Sequence, residues 1–163
     1  MATTLQKKPT IKKKPTPPKK LWKALRLGLD DLAKAEKSKR FEVYMEEWLT
    51  TNGKCRVCFA GSVMAFSLDG VKKCKKEGED IWGVGRKAIG AYDFDGRWPS
   101  VFEALNSARE GNWADAWDHI SGSDFDAPGV VYDLPYPAPY DEDPKQWRAD
   151  MEKACAILKK AGI

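Results

Sequence analysis

The chain has 163 residues, with 28 Lys and Arg against 24 Asp and Glu, one histidine and four cysteines. That length fits a single domain with a core of its own, and no stretch approaches the roughly 18–20 consecutive apolar residues of a membrane helix. The lysine-rich start carries no apolar segment of the kind that heads a secretory leader, so the chain is expected in the cytoplasm, with its cysteines as reduced thiols and no membrane partner.

Residues 1–20 separate from the rest by composition. Lys7, Lys8, Lys12, Lys13, Lys14, Lys19 and Lys20 are interleaved with Pro9, Pro15, Pro17 and Pro18, and no acidic residue lies among them. Lysines repel one another and prolines forbid a regular helix, so this stretch is expected to be a disordered or polyproline-like arm with no core of its own. Electrostatic capture of a polyanion, nucleic acid above all, is one reading of it; a solubilising tail is the other. Residues 21–163 are then one helical domain.

Charge is segregated again inside that domain. Residues 93–152 hold fourteen acidic side chains against four basic ones. Such a surface repels phosphate, so nucleic acid is expected only at the amino-terminal end, and the acidic half is left to meet a basic protein surface.

From Leu21 the apolar spacing is helical, with Leu21, Leu25, Leu29 and Leu32 in one stripe, which predicts a helix to about Ala35. A second helix is predicted from Phe41, Tyr44, Met45, Trp48 and Leu49, stopping at Gly53. Val57–Leu68 contains no charge and reads as a buried helix, with Cys58, Gly61, Ser62 and Ala65 making a small-residue side for close helix approach. Residues 69–80 read as a surface loop, and Ile81–Tyr92 as a short helix or a glycine-broken connector. Pro99 and the capping box Ser100…Glu103 predict a helix ending at Gly111, followed by a shorter one capped by Asn112 with Trp113, Ala116, Trp117 and Ile120 on one face. Residues 127–144 carry five prolines and Tyr132, Tyr136 and Tyr140; they predict an extended strap, with a short strand at Val130–Tyr132 and tyrosine rings packed inward. Asp143 and Pro144 open a last helix, with Gln146 in the capping-box position, Trp147, Met151, Ala154, Cys155 and Leu158 buried and Gly162 as its stop. The fold class is mainly α, a compact domain of five to six helices.

Little of this carries reaction chemistry. Cys55 and Cys58 have the spacing of a metal or redox pair, but no second pair or histidine pair completes four zinc ligands, and Cys58 begins an apolar helix. Cys55 or Cys58 with His119 and Asp118 is the only nucleophilic triad the composition allows. Gly83–Gly90 fits neither phosphate-loop spacing, although Arg86 and Lys87 are candidate phosphate contacts. Asp93, Asp95, Asp124 and Asp126 lack the twelve-residue pattern of a calcium loop. Trp82 and Trp98 have no helical partner and are candidates for stacking or for a protein interface, the other reading being core rings whose N–H groups bond loop carbonyls. No catalytic residue, metal site or cofactor is expected.

The segment Trp48-Leu49 followed by Cys55-Arg-Val-Cys58-Phe-Ala60-Gly61-Ser-Val-Met64-Ala65 resembles small accessory proteins of tailed phages that share a C-x-V-C-x-A-G-x-V-M-A motif. The resemblance spans about twenty residues and implies a viral accessory product in the host cytoplasm, with no active site to transfer. The leading functional expectation is a non-enzymatic binding protein whose arm, with Arg86 and Lys87, contacts nucleic acid or a nucleoprotein. The alternative is an anti-defence type inhibitor of a host protein, acting through Asp93, Asp95, Trp98, Asp124, Asp126, Tyr136, Tyr140, Asp141, Glu142 and Asp143.

Overall fold

The computed structural model describes residues 15–46, 49–50, 55–73, 97–123 and 126–163. Seven helical segments and three short strands occur among them, so the mainly α class is right while the helices are more numerous and several are shorter than the sequence pattern implies.

Two long antiparallel helices frame the molecule. Helix α1 (Leu21–Lys37) buries Leu21, Ala24, Leu25, Leu29, Leu32 and Ala35 along one face and runs slightly past its predicted end. The carboxy-terminal helix (Pro144–Ala161) matches its prediction residue for residue, with Trp147, Met151, Ala154, Cys155 and Leu158 buried. Asp143 accepts the Gln146 backbone N–H at 2.9 Å, and Gly162 closes the helix at φ 77°. The Gln146 side chain does not complete a capping box; its amide donates to Asp150 Oδ1 at 2.8 Å. Both ends of the pair are tied. Trp22 N–H donates to the Ile163 carbonyl, Arg26 forks onto the Glu152 carboxylate at 3.0 and 2.5 Å, and Arg148 reaches Glu36 at 2.6 Å. The hydrogen bond with Glu152 holds the Arg26 guanidinium above its ordinary pKa.

Residues 41–46 and 49–50 do not form the expected helix. Strand β1 (Phe41–Val43) pairs in parallel with β3 (Cys55–Val57), and β2 (Leu49–Thr50) pairs antiparallel with β3 on its other side, giving the order β1-β3-β2. An isolated nine-residue helix is marginal in water, whereas Phe41-Glu-Val43 alternates like a half-buried strand and finds an equally alternating partner in Cys55-Arg-Val57. Pairing places Glu42 opposite Arg56, with 3.6 Å between their charged groups.

Val57 therefore belongs to the sheet, and the charge-free helix α2 is shorter than predicted, Phe59–Ala65, with every residue buried. Cys58 is its N-cap, its sulfur accepting the Gly61 N–H at 3.4 Å. The neighbour that comes close is α1: Ser62 Oγ lies 3.5 Å from the Gly28 carbonyl, and a Cβ added at Gly28 would stand 2.6 Å from the Phe59 ring. Past α2, the stretch expected to be loop contains one helical turn, α3 (Gly70–Lys73).

Helix α4 (Arg97–Arg109) begins three residues before the predicted cap, so Ser100 lies inside it. Pro99 is tolerated there because first-turn N–H groups need no partner, and Trp98 is a core ring, 1% exposed and stacked on Phe102 at 5.9 Å. Gly111, at φ +81°, turns the chain into α5 (Trp113–Ser121), completing the expected αα-hairpin. Asn112 occupies the N-cap position without a side-chain cap bond. In the strap, the expected strand at Val130–Tyr132 is instead a helical turn, α6 (Gly129–Tyr132), which buries Val131. With the last helix as α7, one contiguous apolar core joins α1, α2, α4, α5, α6 and α7. No helix of the described residues is long and apolar enough to cross a membrane.

Candidate interaction face between α5 and the strap

The strap is anchored by residues three apart. Val131, Leu134 and Pro137 are buried, and Tyr140 is half-buried, its ring edge-on to Trp147 at 5.3 Å and its hydroxyl 2.9 Å from Glu36. Burial first, and then the bond to Glu36, pushes the Tyr140 phenol above its ordinary pKa. Two further ties fix the strap: the Trp113 indole donates to the Pro135 carbonyl at 2.9 Å, and Asp150 accepts the Ala138 N–H at 3.2 Å. A spacing of three sends the intervening tyrosines outward. Tyr132 is 64% exposed and Tyr136 78%, and they are the exposed large hydrophobic side chains among the described residues. The expectation that all three rings pack inward is therefore corrected for these two, because the inward positions recur every three residues and Tyr132 and Tyr136 fall between Val131, Leu134, Pro137 and Tyr140. Gly111 is the saddle beneath Tyr136: a Cβ there would meet the Tyr136 ring at 2.8 Å and Pro137 at 2.9 Å.

The two exposed rings divide the surface into shallow grooves of about 430 Å³ each. Tyr132 walls the first, with Ala114, Asp118, His119 and Asp126. The second lies between Tyr132 and Tyr136 over Trp113, Ala114 and Asp115. A third, about 420 Å³, runs from Tyr136 along Pro137–Asp141 past Glu46 and Glu110. The acidic side chains lining them are Glu46, Glu110, Asp115, Asp118, Asp126 and Asp141, against Arg109, which is itself 2.7 Å from Glu110. A fourth groove, about 370 Å³, has the opposite charge; Pro18, Lys19, Arg97, Ser100, His119 and Ser121 line it, and no carboxylate among the described residues does.

The expected site residues are thus only partly brought together. Asp126, Tyr136, Tyr140 and Asp141 line or flank one face, with exposed Glu142 and Asp143 at its end, although Asp143 is engaged as the α7 cap and Tyr140 in the core. Trp98 is removed from any interface by its burial. Lys19 lines the cationic groove, while Lys20 donates to the Gly162 carbonyl at 2.7 Å. Lys7, Lys8, Lys12, Lys13, Lys14, Arg86, Lys87, Asp93, Asp95 and Asp124 lie outside the described residues, as do Trp48, Cys74, Trp82 and residues 81–92. Asp115 and Asp118 were legible only as helix-surface charge; their meeting with the strap depends on the α4–α5 turn.

The thiols are core groups. Cys55 and Cys58 are buried and free, and burial pushes the Cys58 thiol above its ordinary pKa, which disfavours the nucleophilic thiolate. His119 is exposed on α5. Among the described residues no group of three or more His, Cys, Asp and Glu is placed to hold a metal ion. Comparison with protein-family models, with curated proteins and with solved structures finds no match to this chain.

Proposed function

We propose that this chain is a non-enzymatic binding protein that docks a basic protein segment on the acidic, tyrosine-walled face between α5 and the strap, the action of an inhibitor of the anti-defence type. The observation that carries this is the pair of exposed rings, Tyr132 and Tyr136, that wall a groove over Gly111 and Trp113 among the carboxylates Asp115, Asp118 and Asp126. Aromatic side chains with few torsions present large contact area at low entropic cost, and such residues dominate binding energy at protein interfaces. Carboxylates around them steer a cationic partner and repel nucleic acid.

A second reading rests on the cationic groove. Lys19, Arg97 and His119 extend the arm's lysines onto the body, which favours phosphate contacts by the arm of a phage-encoded accessory protein. Neutralising about five phosphates would lower log K on duplex DNA with a slope near −0.9 per contact against log salt.

One experiment separates the two. The full chain is used to capture partners from host lysate before and after nuclease treatment, beside Tyr132→Ala/Tyr136→Ala and a variant with Lys7, Lys8, Lys12, Lys13 and Lys14 changed to serine. Docking by the face is supported by a nuclease-resistant partner lost with the tyrosines and retained by the arm variant. Capture that survives loss of both rings sinks it, and a partner lost with nuclease and with the arm lysines establishes the second reading.

A further inference from the structure

The start of α1 and the end of α7 meet at Trp22 and carry a basic surface of their own. We infer that this surface binds single-stranded nucleic acid, its lysines holding phosphates and the Trp22 indole receiving a base. The inference shares its ligand class with the second reading above but needs none of residues 1–14, and it does not rest on the acidic face.

The corner is built from both helices. Trp22 N–H donates to the Ile163 carbonyl at 3.2 Å and the Trp22 carbonyl accepts the Cys155 S–H at 3.4 Å, so the residue is held at both backbone groups. Two ammonium groups lie over its half-buried indole, Lys23 Nζ at 5.5 Å and Lys159 Nζ at 5.4 Å from the ring centroid. Lys20 reaches the same corner, donating to the Gly162 carbonyl at 2.7 Å. Lys19 and Lys160 flank these in the chain, and all five lysines are exposed.

Their charge is uncompensated. The first acidic side chain along α1 is Asp30 and the last along α7 is Glu152, and Arg26 engages both, at 3.9 and 2.5 Å. None of the five lysines is ion-paired among the described residues, whereas farther along the same helices Lys34 pairs with Asp31 and Arg148 with Glu36. Lys19 also lines the cationic groove, which extends the basic surface away from Trp22.

A cluster of unpaired ammonium groups attracts any polyanion, and the ring selects among them. A cation over an exposed indole is weakly held, and a charge-assisted contact to a phosphate oxygen is stronger. Phosphates therefore draw Lys23 and Lys159 off the ring and leave the indole to a base. A base stacks on a side chain only where it is not already stacked within a duplex, so the fitting partner is a single strand, bound with little regard to sequence.

The test is fluorescence anisotropy of a labelled oligothymidylate of about twelve nucleotides, with the full chain and with the full-length variant whose Lys7, Lys8, Lys12, Lys13 and Lys14 are serine. The serine variant is expected to bind still. In it, Lys23→Gln/Lys159→Gln should lower affinity about tenfold and the log–log salt dependence by about 1.4, at roughly 0.7 per phosphate on a single strand. Trp22→Leu removes a stacking partner and no charge, so affinity should fall about tenfold with the salt dependence unchanged. Circular dichroism checks that Trp22→Leu folds; the two exposed lysines keep the test decisive if it does not. Loss of all binding with the arm lysines, affinity indifferent to either substitution in the folded chain, tighter binding to a duplex of the same length, or binding to phosphatidylserine vesicles in place of the oligonucleotide overturns the inference. The first of these leaves the arm reading standing, and all of them leave the acidic face standing, because Tyr132 and Tyr136 take no part.

Discussion

Tyr140 and Tyr136 stand four residues apart on one strap and have opposite fates. Tyr140 packs edge-on to Trp147, which packs edge-on to Phe59 at 5.2 Å, so its ring is continuous with the core, and its hydroxyl is bonded to Glu36 on α1. Tyr136 lies over a glycine saddle with most of its surface in solvent, beside Tyr132 in the same condition. The anchored end is satisfied by its own chain. The outer end leaves two large rings in solvent beside the exposed carboxylates Asp115, Asp118, Asp126 and Asp141. Large rings left in solvent among carboxylates distinguish a recognition surface from a piece of core.

The comparison can be broken hardest at its anchored end. Trp147→Ala removes the ring on which both Phe59 and Tyr140 pack and is expected to cost about 3–5 kcal/mol in urea unfolding; a loss below about 1 kcal/mol would show that the aromatic row does not hold the strap. Gly28→Ala forces a methyl against the Phe59 ring beneath the same row, and should cost about 1–3 kcal/mol even though alanine is the better helix former.

Asp31 sharpens the contrast through pH. Its carboxylate is 0% exposed, 2.5 Å from both Lys34 Nζ and Ser67 Oγ, and burial raises its pKa above 3.8 despite those partners. A carboxyl that binds its proton more tightly when folded stabilises the fold at pH values below its unfolded-state pKa. That contribution falls away as pH rises from 3.8 through the raised folded value. Asp31→Asn should abolish this part of the pH dependence, seen as a flatter stability profile than the wild type over the mildly acidic range; parallel profiles would refute the assignment.

Smaller effects are expected toward the surface. Tyr140→Phe keeps the ring and loses the bond to Glu36, for about 0.5–1 kcal/mol. Tyr132→Ala and Tyr136→Ala should each shift stability by no more than about 0.5 kcal/mol while abolishing partner capture; a loss of stability as large as that of Trp147→Ala would mean that these rings are structural after all.

Much of the architecture was legible because some segments carry every signal at once. In α7 the Asp143 cap, Pro144 at the first position, the apolar face and the closing glycine agree, and the helix forms as written. The stripe of α1 and the charge-free character of α2 were equally plain. Phe41–Leu49 failed because its pattern satisfies both a short helix and a strand, and the choice fell to a partner, Cys55–Val57, distant enough in the chain to escape local spacing. Of the two readings of Trp98 the core ring holds, and its partner Phe102 becomes visible only when the helix is started earlier than its apparent cap.

By itself the amino-acid order settled where charge lies: lysines in the first twenty residues and carboxylates concentrated in 93–152. Which carboxylates share a face, and which tyrosines look outward, was decided by tertiary structure. The α4–α5 turn at Gly111 brings Asp115 and Asp118 beside a strap distant in sequence, and the strap's threefold repeat, imposed by burial of Val131, Leu134 and Pro137, turns Tyr132 and Tyr136 away from the core. Composition assigns the charge of a surface, but orientation follows from packing against elements that are not neighbours in the chain.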